Sequence, residues 1–78
     1  MYALTIIRIN NTTGTFENTE VHGIKYEHEV LNELTAHGVN KTNLEEFLKM
    51  RTHSSITIEI SITTGVMQGT RFFYITKF

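Results

Sequence analysis

His22, His28, His37 and His53 are the side chains of this chain that could bind a metal or move a proton near neutral pH. Glu29, Glu33 and His37 recur at intervals of four, so a helix would put them on one face and bring Glu33 and His37 toward a single cation. No third ligand of matching spacing accompanies them, cysteine is absent and no two histidines stand four apart. A solvated helix face accounts for the stripe, and no metal site is expected. His53-Ser54-Ser55 and His22-Gly23 supply a base and nucleophile types without an orienting carboxylate or an oxyanion donor. Gly65 and Gly69 join strand patterns rather than opening a helix, which excludes a phosphate loop. The expectation is a chain with no catalytic residues, no metal and no cofactor, and not an enzyme.

The elements that would position any surface are easier to read. In Ile56-Thr57-Ile58-Glu59-Ile60-Ser61-Ile62-Thr63 isoleucine alternates with polar residues, the period of a strand with one wet face. After Thr64 to Gly69, read as a turn on its two glycines, Thr70 to Phe78 is rich in aromatic and β-branched residues and makes the second strand of a hairpin. Tyr2 to Ile9 is apolar on both faces, as a central strand would be. Asn10 to Gly14 has turn composition, and Thr15 to His22 reads as a polar edge strand. From Tyr26 the period becomes helical, with Tyr26, Val30, Leu31 and Leu34 on one side. Gly38 and Val39 form a Schellman-type stop. Thr42-Asn43-Leu44-Glu45 has the form of a capping box opening a second helix with Leu44, Phe47 and Leu48 inward.

Two helices between two hairpins return the chain to the end of the sheet it left. The doubly apolar first and last strands can then pair at the centre. The expected fold is therefore α+β, a small two-layer β-β-α-α-β-β domain spanning residues 1 to 78, with a four-stranded antiparallel sheet in the order 2-1-4-3 and both helices on one face. A domain of this size buries only about 60% of the surface its unfolded chain exposes. Seven Lys and Arg against eight Asp and Glu leave the net charge near zero with no basic run, which argues against non-specific nucleic-acid binding. No apolar run suits a signal peptide or a transmembrane helix, and no cysteine framework is present. A soluble, cytoplasmic protein is expected, in the host cytoplasm if the chain is phage-encoded.

With the isoleucines of the third strand facing the helices, Thr57, Glu59, Ser61 and Thr63 face away. Placing Arg8 outward takes Tyr2, Leu4 and Ile6 with it and leaves Ala3, Thr5, Ile7 and Ile9 in the core. On the last strand Phe72, Tyr74 and Phe78 are expected inside, and Arg71, Phe73, Ile75 and Lys77 outside. The open sheet face then shows an apolar centre of Tyr2, Leu4, Ile6, Phe73 and Ile75 with Arg8, Arg71, Lys77 and Glu59 around it. Such a patch marks a contact surface for another protein, and a symmetric homodimer through stacked sheets is its commonest form. Edge addition along the third strand is another route.

Leu31 to Phe47, with Gly38-Val39 at its turn, loosely resembles a helix-turn-helix, but Glu45 and Glu46 at the start of the second helix would repel phosphates. Arg71-Phe72-Phe73-Tyr74-Ile75 resembles the aromatic strand of the RNA-recognition motif, although the order of elements differs. Nucleic-acid binding through Arg8, Arg71 and Lys77 with stacking is the second reading. Small size, no cysteine or proline and many Thr, Asn and Ile resemble in type the orphan inhibitors of phages and mobile elements, anti-CRISPR proteins among them, without a shared motif. That type implies an inhibitor or adaptor that masks a surface of a host protein.

Overall fold

The structure is a computed structural model that describes residues 1 to 78. Six elements follow one another: β1 (Tyr2–Asn10), β2 (Thr15–Ile24), α1 (Glu27–Ala36), α2 (Lys41–Leu48), β3 (Ser54–Thr64) and β4 (Met67–Lys77). The sheet has the expected order β2-β1-β4-β3 with every pairing antiparallel. The two helices pack on one face, α1 over β1 and β2, while Phe47 of α2 meets the Tyr2 ring at 5.5 Å between centroids. No helix is long and apolar enough to cross a membrane.

Local chemistry fixes the connections. In the first hairpin the Asn10 side-chain oxygen accepts from Thr12 N and Thr13 N, and Gly14 takes the left-handed φ of 71° that closes the turn. α1 ends as a Schellman motif: Val39 N donates to Leu34 O, Gly38 N donates to Thr35 O, and Gly38 has φ 86°. Val39 and Leu34 are both buried there, as the hydrophobic contact of that motif requires. The start of α2 differs from the capping box expected at Thr42. Asn40 is the N-cap and its side chain accepts from Asn43 N at 2.9 Å, so the helix begins earlier, at Lys41. Asn caps at least as well as Thr, and this one sits three residues before a free amide.

The second hairpin is tighter than the two glycines suggest. Thr64 pairs with Met67, leaving only Gly65 and Val66 as the loop. Gly65 has φ 60° and Val66 does not have positive φ, the sign pattern of a type II′ turn, whose twist matches that of its strands. Gly69 belongs to β4, between Asn10 and Ile62, and a Cβ there would stand 3.3 Å from the Ile9 carbonyl oxygen.

The core corrects the expected faces. Tyr2, Leu4 and Ile6 of β1 and Phe73 and Ile75 of β4 lie under the helices with Val30, Leu34, Phe47 and Ile58, and Leu4, Ile6, Phe73 and Ile75 have no solvent exposure. Ala3, Thr5, Ile7, Ile9, Phe72 and Tyr74 therefore occupy the opposite face by strand alternation. Arg8 misdirects the sequence reading because a charge is assumed to face water. In the fold it faces the helix layer at the end of β1, where the helices stop. The β3 expectation is met, with Ile58 buried and Thr57, Glu59, Ser61 and Thr63 exposed.

Candidate binding surface on the open sheet face

Eight and ten helical residues cover about 12 to 15 Å, whereas an eleven-residue strand spans about 36 Å. The helix layer thus covers only part of its face, and charged side chains occupy the margin. Arg8 and Arg71 stand directly opposite one another on β1 and β4. Arg8 lies 3.2 Å from the Glu20 carboxylate and 3.3 Å from His37 Nδ1, while Arg71 donates to the His37 carbonyl oxygen at 3.1 Å. His37 Nε2 is 3.7 Å from Glu33. Six residues along β4, Lys77 donates to Met50 O at 3.3 Å, and its ammonium lies 5.8 Å from the centroid of the Tyr2 ring. Two cations of one strand thus reach carbonyls at the C-terminal ends of the two helices, where the dipole favours positive charge.

Burial, then the Arg8 and Arg71 guanidinium groups, hold the His37 pKa below its ordinary value of 6.5, against the opposing pull of Glu20 and Glu33. With Nδ1 facing a guanidinium donor, His37 is a neutral acceptor there. The Glu33 and His37 pair foreseen from their spacing does form, as part of this network. No group of three or more metal-ligating side chains comes together.

The other face of the sheet has no covering element. Cross-strand register builds it in rows: Val21 beside Thr5, Tyr74 and Thr57; Thr19 beside Ile7, Phe72 and Glu59; Phe16 beside Ile9, Thr70 and Ser61. Phe72 and Tyr74 stack with centroids 6.4 Å apart and planes inclined by 17°. Tyr74 is 43% exposed, Phe16 74% and Val21 73%. Bordering polar groups bond one another across strands, Asn11 Nδ2 to Thr70 Oγ1 at 2.6 Å and Ser55 Oγ with Thr76 Oγ1 at 2.9 Å. Among these rows Glu59 is the one charge, and no cation is present.

The open apolar face expected from the sequence is therefore present with the other set of residues. Tyr2, Leu4, Ile6, Phe73 and Ile75 are core side chains, and Arg8, Arg71 and Lys77 belong to the helix side. On the open face Phe16, Val21 and Tyr74 are exposed, with Ile7, Ile9 and Phe72 half-buried between them. A usable signal was available: Tyr2, Leu4 and Ile6 outweigh Ala3, Thr5 and Ile7 in apolar bulk, and that difference exceeds the preference of a single terminal arginine for water. Comparison of the chain with protein-family models, with curated proteins and with solved structures returns no match.

Proposed function

We propose that this is a small protein-binding module, an inhibitor or adaptor that masks a surface of another protein with its open sheet face. The observation that carries the reading is the uncovered group of Ile7, Ile9, Phe72 and Tyr74 at the centre of a sheet whose opposite face holds the core under the helices. Exposed aromatic and aliphatic side chains held on rigid central strands lose little entropy on docking, and such side chains supply most contact energy at interfaces. Four strands about 4.8 Å apart and about 36 Å long give a face on the order of 700 Å², of which the apolar rows from Thr5 to Ile9 occupy just under half, against the ~800 Å² each partner contributes to a standard interface. A partner fitting it is itself apolar and nearly uncharged at its centre. A host protein of a phage or mobile element fits the type of chain, and a second copy stacked sheet to sheet fits the geometry.

The nucleic-acid reading has less support, because it needed aromatics and cations on one surface. Phe72 and Tyr74 lie on the open face while Arg8, Arg71 and Lys77 lie on the other. The deciding experiment is sedimentation of the purified protein together with capture of partners from nuclease-treated lysate, comparing wild type with Phe72→Asp. A folded Phe72→Asp protein that loses self-association or a salt-resistant partner supports the reading. Association that survives in the folded variant, or that vanishes with nuclease, sinks it.

A further inference from the structure

The two edges of the sheet differ. β2 is interrupted by a register shift opposite Arg8 and Ile9, which leaves Glu17 without a partner across the pairing, and it presents Glu17 and Glu20. Bulges and charges of this kind discourage strand addition. β3 pairs with β4 without interruption from Ser54 to Thr64, contains no proline or lysine and has one charge, Glu59. Backbone direction along it follows from the ladder. Phe78 N donates to Met1 O and Asn11 N to Gln68 O, so odd residues of β1 exchange hydrogen bonds with even residues of β4. By alternation the odd residues of β4 bond the even residues of β3. Ser55, Thr57, Glu59, Ser61 and Thr63 therefore turn their N–H and C=O groups to the free edge.

Beside that edge lies a groove of about 590 Å³ between the α1–α2 turn and β3, lined by His37, Asn40, Glu59, Ile60, Ile62 and Arg71 among others; the Glu59 side chain belongs to the opposite, open face of the sheet. Ile60 and Ile62 along it are only partly buried, Ile60 packing against the edge of the core, because α1 covers β1 and β2 instead. Arg71 is the notable wall residue: its guanidinium has no carboxylate within salt-bridge distance, and its one side-chain hydrogen bond goes to the His37 carbonyl. Arg71 pairs with Ile60, so an inward side chain of a strand added next to Ile60 lies in the same row as the guanidinium.

We infer that the β3 edge and this groove bind an extended peptide segment of a partner protein by strand addition, with an acidic side chain beside Ile60 directed to Arg71 and apolar side chains in the flanking rows of Ile58 and Ile62. Main-chain hydrogen bonds from the odd residues of β3 hold the segment, and the groove selects its alternate side chains. Charge complementarity sets the choice of an acidic residue, since a guanidinium without a carboxylate partner in the wall of this mixed groove favours a carboxylate and rejects an ammonium.

The test uses the whole chain, labelled for amide NMR, and two capped hexapeptides: Thr-Val-Thr-Glu-Thr-Val and the same sequence with lysine for glutamate. At about 1 mM peptide the glutamate version should shift the Thr57, Glu59 and Ser61 amides and slow their exchange with solvent, and the lysine version should bind about tenfold more weakly. Ser61→Pro removes one outward N–H without touching the ladder to β4 and should abolish binding. Arg71→Gln should bind both peptides alike, and Phe72→Asp, on the open face, should bind as wild type does, which separates this site from the face proposed above. Three results overturn the inference: no edge perturbation by either peptide, equal binding of the two by wild type, or edge amides protected without peptide in proportion to protein concentration, which would assign the edge to a second copy.

Discussion

Arg71 Nη1 donates to the carbonyl oxygen of His37, the C-cap of α1, at 3.1 Å, joining a central strand to the end of the helix packed above it. A fixed cation on β4 meets the negative end of the helix dipole there. The same side chain faces Arg8 across the strand pair, and like charges directly opposite oppose pairing. Arg71→Met should therefore lower stability by only about 1 kcal/mol, measured by urea unfolding, with the lost hydrogen bond outweighing the relieved repulsion. A loss of several kcal/mol would mean that Arg71 holds more of the fold than this contact.

His37 makes stability depend on pH with a definite sign. Its folded pKa lies below the unfolded value of 6.5, so in the interval between them the unfolded chain binds more protons. The contribution is complete above pH 6.5 and is lost as pH falls through the folded pKa. Melting temperature should fall between pH 7.5 and about 5, before most carboxylates titrate. His37→Gln should flatten that slope. In Arg71→Met the His37 pKa, followed by NMR, should rise because one of the cations depressing it is gone. A slope unchanged by His37→Gln would place the sensitivity on another group.

The adjacent phenylalanines of β4 test the assignment of the sheet faces. Phe73 has no exposure, and Phe73→Ala should cost about 3–5 kcal/mol of stability. Phe72 is half-buried on the open face, so Phe72→Ala should cost no more than about 1.5 kcal/mol. Thermal or urea unfolding of the two variants in parallel decides it, and the reverse ranking would return the core to the other face.

Gly65 is required by the hairpin rather than by space. Nothing lies within 4 Å of a Cβ built there, yet φ is 60°. Gly65→Ala exchanges a left-handed cost of about 1–2 kcal/mol against the smaller entropy of the unfolded alanine chain, for a net loss of about 0.5–1 kcal/mol. Gly65→Asn should cost less, since asparagine tolerates the left-handed region. Equal losses for the two, read from denaturant midpoints, would point to a contact rather than to φ.

Gly69→Ala should be destabilising for a different reason. Its Cβ would stand 3.3 Å from the Ile9 carbonyl oxygen, so a backbone group of the central strand pair must give by a few tenths of an ångström. Faster amide exchange at Asn10 and Asn11 in the variant is the expected sign, and unchanged exchange would show that the strands absorb the methyl group.

Hydrophobic period together with turn and cap residues determined the six elements and their order along the chain. The isoleucine alternation of β3, the Gly38-Val39 stop and the near-continuous apolar runs of β1 and β4 are local signals, and two apolar faces place those strands at the centre of a sheet. The α2 cap was less legible, because Asn40 and Thr42 are both good caps and only the chain's path from Val39 selects one. The greater apolar bulk of Tyr2, Leu4 and Ile6 hints at which face of β1 becomes core, but for β4, with Phe72 and Phe73 side by side, that choice was decided by tertiary structure. A strand's two faces differ by a single residue of phase, and both carried enough apolar side chains to serve. Arg8 and Arg71 face inward because the helices end short of them, and Glu20 and the carbonyl and ring of His37 meet them there. Those partners lie 12, 29 and 34 residues away along the chain, a separation that only the folded arrangement closes.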